Sequence, residues 1–137
     1  MNAATPGLGY DPADLTDIPG TTIFTTASSR RAYHLHRFCH SLAKPEARAA
    51  FKADEAGYLS GYALSDEQRE AVLARDYNRL IALGGSFFFL IKLASTDGWS
   101  AQRAVSTMSG MSVDDYAAMM IAGGRSPEGN RSIKGKY

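Results

Sequence analysis

Three histidines crowd one short stretch, Tyr33-His34-Leu35-His36-Arg37-Phe38-Cys39-His40. Imidazole nitrogens and a thiolate are transition-metal ligands, and on a helix His36 and His40 stand one turn apart with Cys39 beside them. His34 sits about 200° round the helix from His36. A metal site also needs a third ligand such as a carboxylate, and the segment contains no acid. The three are therefore expected as surface or interface histidines, and no metal set is assigned. Arg75-Asp76-Tyr77-Asn78 places a cation, an anion and an aromatic together, as salt-bridged helix surfaces commonly do. Gly84-Gly85 and Gly123-Gly124-Arg125-Ser126 lack both the Gly-x-x-x-x-Gly-Lys-Ser/Thr spacing and the preceding strand of a phosphate loop. They read as helix stops. Neither Gly-x-Ser-x-Gly nor His-Glu-x-x-His occurs, and no carboxylate pair has a distinguishing context. At least one part of nearly every catalytic template is missing, which disfavours an enzyme acting alone.

The elements that would position these residues read as helices. Ser28 or Ser29 suits an N-cap, followed by Tyr33, Leu35, Phe38, Cys39 and Leu42 at helical spacing. Pro45 ends that helix and fits the first turn of the next, whose apolar side includes Ala49 and Phe51. Asp54 caps a segment through Tyr58, Leu59 and Tyr62, and Ser65 with Gln68 forms a capping signal. The helix after it shows Ala71, Val72, Tyr77, Leu80 and Ile81 on one side, up to Gly84. Residues 87–93 are apolar nearly all round and suit a buried strand or a buried helix. Helix is favoured, because a lone strand would leave its backbone unpaired. A short helix follows at 100–106, and Ser112 caps the last one, with Tyr116, Met119, Met120 and Ile121 expected inward. Residues 21–26 alternate weakly, as a short strand would. The expected organisation is all-α: one multihelical domain with an extended arm over 1–27, a helical core over 28–124 and an irregular tail over 125–137.

Length and composition set outer bounds. A chain of 137 residues buries one core. With 45% hydrophobic and 21% charged residues it is globular rather than disordered. The net charge of +1 excludes a strong field for nucleic acid. Cys39 stands alone, so no internal disulfide forms and a disulfide-stapled secreted scaffold is excluded. No apolar run approaches the roughly 18 residues of a membrane span. The first residues lack a signal-peptide pattern, and a cytoplasmic protein is expected. Trp99 and Met108-Ser109-Gly110-Met111 suit partner contact as well as core.

Several segments in order resemble the small (alpha) subunit of extradiol ring-cleaving dioxygenases of the protocatechuate 4,5-dioxygenase kind. They are Asp17-Ile18-Pro19-Gly20-Thr21, Phe51-Lys52-Ala53-Asp54-Glu55, Ala71-Val72-Leu73-Ala74-Arg75-Asp76-Tyr77-Asn78, Ser95-Thr96-Asp97-Gly98, Met108-Ser109-Gly110-Met111 and Met119-Met120-Ile121. To these add Gly123-Gly124-Arg125-Ser126-Pro127 with Arg131-Ser132-Ile133-Lys134-Gly135. The resemblance implies an all-helical accessory subunit paired with a larger beta subunit. That subunit would hold Fe(II) on two histidines and a carboxylate and supply the catalytic base. A catechol-type aromatic acid and O2 would meet in a cavity that this chain covers as a lid. It further implies that Gly98, Trp99, Ser100, Ala101 and Gln102 lie closest to substrate. The family carries phenylalanine where this chain has Ala101, so either Trp99 or a neighbour closes the gap or the pocket takes a bulkier substrate. It also tends to carry asparagine at the places of His34 and His36, so no metal role is inherited there.

Arg125, Arg131 and Lys134 concentrate positive charge in the tail with only Glu128 against them. They would pair with acids of the beta subunit, attract an anionic substrate, or form a solvated terminus. Two other functions fit the same residues. One is the accessory subunit of a gallate, methylgallate or aminated-catechol dioxygenase; the other is a helical binding protein without catalysis.

Overall fold

The computed structural model describes Thr16, Ile18 and residues 20–125. Within these residues the chain is all-α, with nine helices and no strand: α1 Thr26–Arg31, α2 Tyr33–Ser41, α3 Pro45–Ala53, α4 Glu55–Leu59, α5 Asp66–Ala74, α6 Tyr77–Ala82, α7 Phe87–Thr96, α8 Ala101–Met108 and α9 Val113–Ile121. Phe24–Gly123 form one compact unit; Met1–Ile23 and Gly124–Tyr137 form another. Of the second unit, the described backbone includes a turn in which the Thr21 N–H donates to the Ile18 carbonyl at 3.2 Å. Most of the expected arm lies outside the described residues, as do Arg131 and Lys134. Residues 21–25, part of the candidate strand, have no regular structure, and Thr26 already belongs to α1.

Helices of this length do not hold in isolation, so capping and packing must fix them. The first cap is Thr25, whose hydroxyl accepts the Ser28 N–H at 3.1 Å, rather than Ser28 or Ser29. Pro45 opens α3, and Asp54 caps α4 by accepting the Gly57 N–H at 3.0 Å. Ser65 and Gln68 make both halves of the capping box at 3.1 Å each. Ser100 and Ser112 cap α8 and α9.

The core forms where α2 packs along α7. Leu35, Phe38 and Cys39 of α2 bury against Leu90 and Leu93 of α7, with Phe51, Leu59, Val72, Leu80 and Ala104 completing the cluster. Phe38, Phe51, Tyr58 and Tyr62 form a nest of tilted and edge-on rings. Gly84 both ends α6 and lets α1 approach. Its φ is +102°, and a Cβ there would meet the Ser28 carbonyl at 2.8 Å.

Five expectations change. Tyr33 is exposed although counted on the apolar side of α2, and Ala49 of α3 is exposed too. The segment from Ala71 to Ile81 is two helices rather than one. Residues 87–93 are helical as favoured, but Phe88 is 75% exposed, so α7 is not buried all round. The last helix, α9, has no buried residue, and its Met120 and Ile121 are 52% and 88% exposed instead of facing inward.

Candidate functional site

The break between α5 and α6 organises the molecule's main polar cluster. Arg75 adopts φ +55°, the left-handed conformation that usually falls to glycine at a helix C-terminus. The Asp76 N–H returns to the Ala71 carbonyl at 2.9 Å, closing the Schellman turn. Asp76 then accepts the Arg79 N–H at 3.1 Å and starts α6. Asp76 is thus a cap, not the ion partner of Arg75 that adjacency suggested.

Arg75 instead reaches across the fold. Its Nε donates to Asp97 Oδ2 at 2.6 Å and its Nη2 to Oδ1 at 3.2 Å, a bidentate fork. Its Nη1 pairs with Glu55 at 2.7 Å and also donates to the Val72 carbonyl at 2.7 Å. Lys52 adds a second cation to Asp97 Oδ1 at 2.7 Å. The guanidinium lies 5.3 Å from the centroid of the Phe51 ring. The side chains of Arg75 and Asp97 are 13% and 10% exposed, so solvent screens this network weakly. Burial by itself would raise the Asp97 pKa, but hydrogen bonds from Arg75 and Lys52 outweigh it and hold the carboxyl below its usual range. For Arg75 burial works the other way and is again overcome, by Asp97 and Glu55, so its cation is held more firmly. Tyr77 packs beside the cluster with its hydroxyl buried and unpartnered, and burial pushes its pKa up.

Asp97 is also the C-cap of α7, so the network grips the start of the segment expected nearest to substrate. Gly98 follows with φ +75°, and the Trp99 N–H donates back to the Ala94 carbonyl at 3.0 Å, a second Schellman turn. This turn folds the half-buried Trp99 onto the core. Its ring lies 6.3 Å from that of Tyr77 and carries the Arg103 guanidinium at 4.6 Å. Ser100 caps α8, which leaves Ala101 and Gln102 exposed in its first turn. Gly98, Trp99, Ser100, Ala101 and Gln102 thus form one corner, held by the Asp97 ion pairs at its start and the Ser100 cap within it. Met108 packs on the core, and its carbonyl accepts the Asn78 amide at 2.9 Å. Arg125 lies at the surface of the other unit.

The histidines divide. His34 and His40 are exposed, but His36 is only 8% exposed and corrects the expectation of a surface residue. Its ring stacks on Phe89 at 4.5 Å, and its Nε2 accepts the Ser86 N–H at 2.9 Å. Burial lowers its pKa. Burial also pushes the Cys39 thiol up to about 12, so a thiolate ligand is suppressed there. With Nε2 committed, the thiol protonated and no carboxylate beside them, these residues do not fit an iron centre. Among the described residues no group of three histidines, cysteines or acids could hold a metal ion. Nor is any described helix long and apolar enough to cross a membrane.

Most of this helical unit falls within a known family. The family model described as aromatic-ring-opening dioxygenase LigAB, LigA subunit, matches residues 35–121, from within α2 to the end of α9. The chain belongs to this family. A gallate dioxygenase of Pseudomonas putida is 30% identical to it over 104 residues, which is 76% of this chain. The chain spans only 31% of that relative's length.

Proposed function

We propose that this chain is the accessory (alpha) subunit of a heteromeric extradiol dioxygenase and covers the active site of a larger beta subunit. The beta subunit would hold Fe(II), and the assembled enzyme would open protocatechuate-type catechols at the 4,5 position. Membership of the LigA-subunit family is the observation that carries this reading. Two further findings support it. The histidine cluster does not fit iron, which leaves the metal to a partner. The gallate dioxygenase is about three times as long as the region it shares with this chain, which leaves room for the chemistry elsewhere in that protein. When bound, Fe(II) would supply the site at which diol and O2 meet.

The role left to this chain is positional. The corner of Gly98, Trp99, Ser100, Ala101 and Gln102 would close the cavity against bulk water, which strengthens electrostatic interactions inside and limits side reactions. Ala101 puts only a methyl group on that surface. Replacing it by phenylalanine is expected to depress turnover of ring-substituted catechols more than that of protocatechuate. Equal effects on the two substrates would remove Ala101 from the specificity surface. A gallate-type substrate is the second reading, favoured by the similarity to gallate dioxygenase.

The first test is co-expression with a large-subunit candidate, size-exclusion chromatography, and an anaerobically Fe(II)-loaded assay on protocatechuate and gallate. A stable complex whose ring-opening rate falls when this chain is omitted is expected. Absence of a complex, or a rate indifferent to this chain, would refute the proposal.

A further inference from the structure

We propose that the hollow bounded by α1, α2, the start of α3 and the beginning of α7 is a binding site for a small aromatic carboxylate, separate from the corner at Gly98–Gln102. It lies at the start of α7, whereas that corner follows its end, and ten helical residues span about 15 Å. The inference does not rest on the proposed function, because the site is built from this chain alone. Its volume is about 730 Å³, within the range of small-molecule pockets.

The walls are aromatic and the rim is cationic. Phe24, Tyr33 and Phe89 supply ring faces and edges, and His36 lies between Phe24 at 5.9 Å and Phe89 at 4.5 Å. Arg37 and Lys44 line the same hollow, and no described carboxylate does. Among the described residues neither cation forms an ion pair; the recorded contact of Arg37 is with the Tyr33 ring at 6.0 Å. A planar ring would stack on the walls while its anionic group met these cations.

His36 gives the hollow a built polar group. It is more than nine-tenths buried, it lines the cavity, and its Nε2 is committed as an acceptor. The neutral ring must then carry its proton on Nδ1, a donor with no acceptor among the described residues. A carboxylate, an acceptor only, complements that donor as well as the two cations.

The test uses the full chain without any partner, titrated with benzoate and with benzamide as its neutral counterpart, followed by calorimetry and by the imidazole ¹⁵N resonances. Saturable benzoate binding is expected, at least about fivefold tighter than benzamide, with the His36 resonances shifted. Arg37→Gln and Lys44→Gln, both at exposed side chains, should each weaken benzoate about threefold or more and narrow its advantage over benzamide. Three outcomes would overturn the proposal. They are no saturation by about 20 mM benzoate, equal affinity for the two probes, or benzoate binding that ignores both substitutions.

Discussion

Arg75→Met removes the guanidinium while keeping a flexible apolar stem of similar reach. Asp97 is then left with Lys52 alone, and Glu55 with a 4.0 Å contact to the same lysine. Breaking a buried ion pair from one side costs about 3–5 kcal/mol. Here the pair is not fully buried and Lys52 remains, so about 2 kcal/mol is the appropriate share. Loss of the cation over Phe51 adds roughly 0.5 kcal/mol. Arg75→Met is therefore expected to cost about 2–3 kcal/mol in urea titrations of the isolated chain, with an unchanged m-value. Asp97→Asn should cost less, and the double variant should fall short of the summed single effects by at least about 1 kcal/mol. Trp99 is the only tryptophan, so its fluorescence reports the clamped corner directly. Quenching by acrylamide in native buffer should rise in Arg75→Met. Because the Asp97 pKa is depressed on folding, its contribution is complete above the unfolded value near 4 and disappears as pH falls through the lower folded value. The gap between wild type and Asp97→Asn should close over that acidic window. A loss below about 0.5 kcal/mol, or strict additivity in the double variant, would refute the clamp.

Tyr77→Phe removes a buried hydroxyl that has no partner, so stability should hold or rise by up to about 1 kcal/mol; a clear loss in the same titration would mean that the hydroxyl is satisfied after all. His36 titrates lower when folded, so the unfolded chain binds more protons and stability should decline as pH falls below about 6.5. His36→Gln should flatten that decline in paired titrations at pH 7.5 and 5.5, and equal slopes would contradict it. Ile121→Glu should change the isolated chain by no more than about 0.5 kcal/mol, because the side chain is already in water. If α9 docks on the beta subunit, the same variant should lose the complex on size-exclusion chromatography; an intact complex would exclude this face.

The features legible in the sequence are those whose partners lie within one helical turn. Ser65 and Gln68, Asp54 and Gly57, Ser112 and Asp115 each complete a hydrogen bond three residues apart. Local spacing therefore sufficed to place those helix starts. The position of Tyr33 is also legible in angle, since it stands roughly 160° from Leu35 round the helix and so away from the buried face. His36 stands only about 60° from the buried Cys39, at the edge of the face that meets α7. That proximity was the signal for a buried imidazole. Met120 and Ile121 are different. Apolar character shows that a residue prefers to leave water, but not whether its own core or another chain provides the cover.

The clamp could not be read locally. Arg75 finds Asp97 and Glu55 only after α4, α5 and α7 have come together, so neighbouring residues offered the wrong partner, Asp76. Its backbone adds a second argument. A non-glycine residue in the left-handed region costs about 1–2 kcal/mol, and glycine would end α5 without that strain. Glycine, however, would leave Asp97 with Lys52 alone and release the turn that carries Gly98 and Trp99. Strain at the end of α5 is therefore offset by the bidentate contact at the end of α7. Two helix termini distant in sequence are fixed by one side chain, and the exposed first turn of α8 inherits its position from them.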